Sequence, residues 1–304
     1  MPLKSYPKIT IVTQCYNRED TIAETIESVI SQGYPNLEYI VIDDGSTDKS
    51  WEVIQQYKDK LAHIERIEGK RDTPVPTINY GFSKTTGEIM TWLNAKNILL
   101  PKSLFTIAQV FNDFPEVEWV TGMGTIIDGD GKITGVIPVR KDFYEHMVGT
   151  QSNIQQESTF WRTSLWKRTG ASLNEAVVAF DIELWCTKFF PHATLYHLNT
   201  LLGAYRKNPQ SFSTVRRATF LAHIADARAK LWKASSLKKR IYATLFRVVR
   251  YGKPLLRNIP DRVYAHAPLL KEYAHHAIRF SSMKDGYGVL EIYKRNPFRT
   301  IFPW

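Results

Sequence analysis

The sequence predicts an α/β protein built on a mostly parallel sheet flanked by helices, with a mostly helical, basic C-terminal extension. Three observations predict it. Short apolar, β-branched runs alternate with stretches of helical periodicity, the pattern of strand–helix–strand units. Each early run ends in a polar cluster, as buried parallel strands do at the edge where ligands bind. The 304 residues include 43% hydrophobic and 12% aromatic side chains, enough to bury a large core.

The elements follow in order. Ile9 to Thr13 is the first strand-like run. Asn17 is placed to cap the helix after it, with Glu19 and Asp20 in the first turn, Ile22, Ile26, Val29 and Ile30 as the apolar stripe, and Gly33 and Pro35 at its end. Leu37 to Ile42 reads as a second strand running into Asp43-Asp44-Gly45-Ser46-Thr47-Asp48. A helix carrying Trp51, Val53, Ile54 and Tyr57 leads to a strand around His63 to Ile67. Glu88 to Leu93 is a further strand, which puts Asn94 to Asn97 at its carboxyl end. Pro101 opens a helix with Leu104, Phe105, Ala108 and Phe111 on one face, and Glu118 to Met123 forms the next strand. Asp128-Gly129-Asp130-Gly131 reads as a hairpin turn. It lacks the closing glutamate of a calcium loop.

Composition narrows the setting. No apolar signal segment precedes the first strand, and no apolar run approaches the ~20 residues that span a bilayer, so a cytoplasmic protein is expected. Cys15 and Cys186 fall in a predicted strand and helix and show no zinc or disulfide spacing. The net charge of +10 is unevenly placed: residues 230–304 carry +12 and the first 229 residues −2. From Leu237 onward, Leu237, Ile241, Leu245 and Val248 recur at helical spacing among Lys238, Lys239, Arg240, Arg247 and Arg250. This suits a helix lying on an anionic membrane surface, with Trp232, Tyr242 and Phe246 at the interface. A helix packed on the body is the next reading, and a nucleic-acid surface the last, since no recognised module for it is visible.

A series of short motifs runs in one order: Ile11 to Asn17, Asp43 to Asp48, Asn79-x-Gly81 with Thr86-Gly87-Glu88, Trp92-Leu93-Asn94, Gln156 to Arg162, Phe180 to Trp185, and Leu202 to Arg206. Together they resemble the inverting family 2 glycosyltransferases with a GT-A fold, over roughly residues 7–215. The resemblance implies that Asp44 reads the nucleoside of a nucleotide-sugar donor, with Asp43 beside it, Tyr16 against the base and the backbone of Gln14 in contact. A carboxylate at a strand end can accept bonds from a base imide or ribose hydroxyls, although Asp43 to Asp48 also suits a turn followed by a helix cap. Asp181 matches the family's general base, which removes the proton of an attacking hydroxyl; an ordinary aspartate at a helix start is the plainer reading. Glu157 and Glu183 are further acidic candidates near the acceptor. Asn79, Asn94 and Asp72 are candidate donor contacts; Pro76 replaces the family's aspartate on this loop, and Asp72 stands four residues earlier.

The chain also departs from the family at two positions associated with a metal. Members usually read Leu-Asn-Ser-Asp-Asp where this chain has Leu93-Asn94-Ala95-Lys96-Asn97, and often carry a histidine where this chain has Asn208. Those carboxylates normally hold a divalent cation on the diphosphate, so neither metal ligands nor a cofactor is expected, and Lys96 is a candidate to supply the missing positive charge. The expected body is residues 1–215 and the extension 216–304. The leading reading is inverting sugar transfer to a glycan or lipid-linked acceptor in cell-surface polysaccharide synthesis, at the inner membrane face and with residues 230–304 on the lipid. The alternative is a catalytically inactive, nucleotide-binding or scaffolding protein of the same fold.

Overall fold

The computed structural model describes residues 5–68, 73–137, 143–147, 154–208, 212–251, 260, 275–284 and 287–295. Its strands are β1 (Ile9–Cys15), β2 (Leu37–Asp43), β3 (His63–Arg66), β4 (Ile89–Trp92), β5 (Ile98–Leu99), β6 (Trp119–Ile127), β7 (Ile133–Ile137), β8 (Thr159–Arg162), β9 (Leu195–Arg206), β10 (His275–Lys284) and β11 (Tyr287–Arg295). Its helices are α1 (Ile22–Ile30), α2 (Ser50–Gln55), α3 (Val75–Ser83), α4 (Ser103–Asp113), α5 (Phe143–Met147), α6 (Thr163–Arg168), α7 (Phe180–Leu184), α8 (Phe212–Val215), α9 (Arg217–Ala234) and α10 (Leu237–Tyr251).

The strands form one sheet in the order β11-β10-β9-β6-β8-β4-β1-β2-β3, with β5 on β9 and β7 on β6. β4, β1, β2 and β3 are parallel neighbours, while β8 runs antiparallel between β4 and β6. Side chains alternate between two apolar layers, as the two-residue period of a strand requires. Ile9, Ile11, Tyr39 and Val41 pack with α1 and α4 on one face, and Val12, Ile40, Ile42 and Trp92 pack with α3, α7 and α9 on the other. β1, β2 and β4 are therefore buried on both sides, and their ends are open to a ligand.

Local chemistry explains where elements stop. Ile22, Ile26 and Val29 form the buried stripe of α1. Asn17 does not cap that helix. It adopts φ +48, and its Oδ1 accepts the Thr47 N–H at 2.8 Å, tying the loop after β1 to the loop after β2. The Asp128–Gly131 turn is a hairpin, as expected: Asp128 Oδ1 accepts the N–H groups of Asp130 and Lys132, each at 3.0 Å, and Gly131 takes φ +80, a left-handed conformation suited to glycine.

The C-terminal extension contains the expected helices and also a hairpin that the sequence reading does not anticipate. α9 buries Ile224, Ala227 and Leu231, and α10 buries Ala243 and Phe246. β10 joins the sheet parallel to β9, pairing Ile278 with Leu198, and β11 pairs back on β10. Phe246 stacks on Tyr144 at 6.1 Å, and Trp232 and Tyr242 pack on the same core cluster. These three aromatics thus face the body, not a membrane interface. The outward side of α10 is Leu237, Ile241 and Leu245, 73%, 51% and 44% exposed. Among the described residues no helix is long and apolar enough to cross a membrane.

Candidate active site

The carboxyl ends of β1, β2 and β4 lie side by side, Cys15 opposite Asp43 and Val12 opposite Trp92. The loops that leave them are stitched together. Asp44 N–H donates to the Cys15 carbonyl at 2.8 Å, and Leu93 N–H to the Val12 carbonyl at 2.8 Å. Ser46 Oγ accepts the Asn17 N–H at 3.0 Å, and the Thr21 hydroxyl donates to the Ala95 carbonyl at 2.8 Å. Three segments far apart in sequence thus form one rim. This is the strand-end position at which open α/β sheets bind ligands.

On the β2 side, Asp43 is completely buried. Its carboxylate accepts the Ser46 N–H at 3.0 Å and the Ser46 hydroxyl, and Arg66 approaches it at 3.4 Å. The turn reading therefore describes Asp43 well. Asp44, the next residue, is 2% exposed. Gln14 and Tyr16, both half-buried, flank the end of β1 beside it. Arg66, which also donates to the Ser46 carbonyl at 2.6 Å, is a supporting residue that sequence reasoning missed.

On the β4 side, Lys96 sits in a tight turn whose N–H groups at Lys96 and Asn97 donate to the Asn94 carbonyl at 2.8 and 2.9 Å. The ammonium lies over the Tyr205 ring, 4.7 Å from its centre. Burial pulls the Lys96 ammonium down to about 8; the Glu157 carboxylate opposes this shift and the charge of Arg18 adds to it. Asn97 is fully buried and connects the turn to the rest of the site. Its Nδ2 donates to Glu157 Oε1, and its Oδ1 accepts the Arg206 N–H at 3.0 Å.

Glu157 is 4% exposed. Burial pushes its carboxyl up to about 7, Lys96 pulls it down, and the charge of Asp181 adds to the rise. Lys96 and Asp181 thus act on the Glu157 carboxyl in opposite directions. Glu157 fits here because Gly203 on β9 has no side chain: a Cβ there would stand 2.1 Å from the Glu157 carbonyl oxygen. Gln156 donates from Nε2 to the Trp92 carbonyl, which fixes the last residue of β4, while its Oε1 is buried with no partner among the described residues. Asp181 is the second residue of α7, where its Oδ1 accepts the Ile182 N–H at 2.8 Å. Glu183 is 9% exposed on the same helix.

One of the candidate donor contacts is held by other partners. Asn79 spends its amide on the Leu173 backbone, donating to its carbonyl at 2.8 Å and accepting its N–H at 2.9 Å. That geometry fastens the loop before α7 to α3. Asp72 lies outside the described residues. Asn94 remains at the rim, half-buried. Cys15 and Cys186 are buried free thiols, both pushed up to about 12 chiefly by burial.

The turn at residues 94–97 lacks the carboxylates that a divalent cation prefers. At the turn the donor set is an asparagine at 94, a lysine at 96 and an asparagine at 97 whose amide is already engaged, and hard cations prefer carboxylate oxygens. Among the described residues no three His, Cys, Asp or Glu side chains cluster in a way that could hold a metal.

Residues 10–165 match the profile of Glycosyl transferase family 2, and the chain belongs to that family. Its fold is shared with S. aureus TarS 1–349 in complex with UDP, at a TM-score of 0.56 and 18% identity over 88% of this chain and 86% of that one. The mannosyltransferase PcManGT from Pyrobaculum calidifontis, in complex with GDP-Man and Mn2+, gives a TM-score of 0.54 at 16% identity over 89% and 85% of the two chains. The GT-A expectation stands on this shared architecture. EpsE of Bacillus subtilis (strain 168) is 25% identical over 293 residues, 93% of this chain and 98% of that protein. Poly-beta-1,6-N-acetyl-D-glucosamine synthase of Staphylococcus epidermidis is 30% identical over 118 residues, 38% of this chain and 28% of the synthase.

Proposed function

We propose that the protein transfers a sugar, with inversion, from a nucleotide-sugar donor to a hydroxyl of a glycan or lipid-linked acceptor in cell-surface polysaccharide synthesis, and does so without a divalent cation. The observation that carries this reading is the Lys96 ammonium at the strand-end rim, lying over Tyr205 on the turn that Asn97 ties to the buried Glu157. Asp44, with Gln14 and Tyr16, holds the nucleoside. Asp181 takes the proton of the acceptor hydroxyl as that oxygen attacks the anomeric carbon, and the bond from that carbon to the diphosphate oxygen breaks. Lys96 neutralises the charge that develops on the departing diphosphate, in a partly buried site where a point charge acts strongly.

The names of the relatives support parts of this reading. Solved proteins of the same fold hold UDP, UDP-GlcNAc and GDP-Man, and the staphylococcal relative is named for a polysaccharide. The outward stripe of α10, set among basic residues, supports peripheral attachment of the extension to the inner membrane face.

Transfer from a panel of UDP-, GDP- and dTDP-sugars is the direct test. Activity is expected to persist in excess EDTA and to fall about 10²–10³-fold in Lys96→Met, the usual cost of removing one transition-state charge partner. Loss of transfer in EDTA, restored by manganese, overturns the role given to Lys96. A second reading, nucleotide binding without transfer, is favoured by the lysine standing where the family keeps carboxylates. Tight nucleotide binding with no turnover, unaffected by Asp181→Asn, would establish it.

A further inference from the structure

We infer that Arg206 is a positioning residue that fixes Lys96, and that the end of β9 thereby sets the geometry of the diphosphate subsite; the functional consequence rests on the role proposed above for Lys96. Arg206 is 4% exposed and gathers three separate elements onto one guanidinium. Nε donates to the Lys96 carbonyl at 3.0 Å. Nη1 donates to the carbonyls of Asp128 and Gly129 in the hairpin turn, at 2.8 and 2.5 Å. Nη2 pairs with the carboxylate of Glu24 on α1. Its backbone N–H donates to Asn97 Oδ1 at 3.0 Å. The preceding residue, Tyr205, lies under the ammonium itself.

Consecutive residues of one strand thus hold both ends of Lys96, the ring at the ammonium and the guanidinium at the carbonyl. A fork of fixed donors defines the position of a peptide group far better than a flexible ammonium can. A lysine standing in for a cation needs such support, because a side chain with four rotatable bonds is otherwise poorly localised. No other charged side chain at the site is bound to the turn backbone in this way among the described residues. The hairpin and α1 take part only as anchors, so their own side chains need not touch a ligand.

The test uses the full chain with Arg206→Lys and, as a milder change, Glu24→Gln, which removes only the charge of the outer anchor. Two readouts are needed. Competitive acetylation of Lys96, followed by mass spectrometry across pH, reports the turn without any ligand: its half-reactivity is expected near pH 8 in the wild type and higher in both variants, as the turn opens to water. Calorimetric titration with UDP and GDP is expected to show about tenfold weaker binding in Arg206→Lys, the loss of roughly one charge-assisted contact. That loss should vanish in the Lys96→Met background. An unchanged acetylation profile in folded Arg206→Lys and in Glu24→Gln overturns the inference, as does a loss of affinity that is the same with and without Lys96. If Arg206→Lys does not fold, Glu24→Gln decides alone by its acetylation profile. If neither these nucleotides nor dTDP binds the wild type, the sugar-transfer reading fails while the acetylation profiles still decide whether Arg206 positions the turn.

Discussion

At the scale of single residues, the site depends on two titrations pushed toward each other by burial. Glu157 rises to about 7 and Lys96 falls to about 8. A carboxyl raised above its unfolded value stabilises the fold fully below that unfolded value, and the contribution is lost as pH rises through the folded one. For Glu157 this window runs from about 4.5 to about 7. Glu157→Gln keeps an acceptor for Asn97 and removes the titration. The variant is expected to melt with the wild type near pH 5 and several degrees above it at pH 8.5, where Lys96 no longer offsets the buried carboxylate. A gap that does not change with pH in calorimetric scans would show that Glu157 is solvated in solution. Asp44, Asp181 and Lys96 stand out as candidates in the sequence because each lies in a short motif or departs from one. Asn97 and Arg206 also fall in motif segments, but what they hold was not legible, since their partners lie 60 and 109 residues away.

Among the elements, α10 shows how far periodicity reaches. Its spacing revealed an amphipathic basic helix, yet could not say which face the body takes. The structure decides through Arg240, which donates to the Trp232 carbonyl at 2.9 Å, and through Phe246 on Tyr144. The buried face is small and aromatic, and the aliphatic stripe points outward. The hairpin between His275 and Arg295 escapes a reading made from net charge, which says nothing of strand periodicity. If the outward stripe meets lipid, Leu237→Ser with Ile241→Ser should weaken binding to phosphatidylglycerol vesicles at least about tenfold, given ~1.5–3 kcal/mol for fully burying each such side chain. The melting temperature should stay unchanged, because both residues are exposed. Co-sedimentation equal to wild type would place any membrane contact elsewhere.

For the whole molecule, the question is whether the extension rides on the catalytic body or completes it. The family match ends at residue 165, but the apolar layers do not. α9 closes over α7, the helix of Asp181, through Ile224, Ala227 and Leu231. Ile278 and Leu290 from the final hairpin belong to the same buried cluster as Ile9 and Ile11 of the first strand. A chain cut before α9 would leave the back of α7 in water, so removing the extension is a poor way to test its role; a single core substitution is cleaner. Ile278 is fully buried and pairs with Leu198. Ile278→Ala should cost about 2–5 kcal/mol, which for a chain of this size lowers the melting temperature by roughly 5–15 °C. The expected scan keeps one cooperative transition, shifted as a whole, because the sheet runs from β3 to β11 without a break. A separate low-temperature transition, with the main one unmoved, would mean that the hairpin folds as its own unit and that the site needs nothing from it.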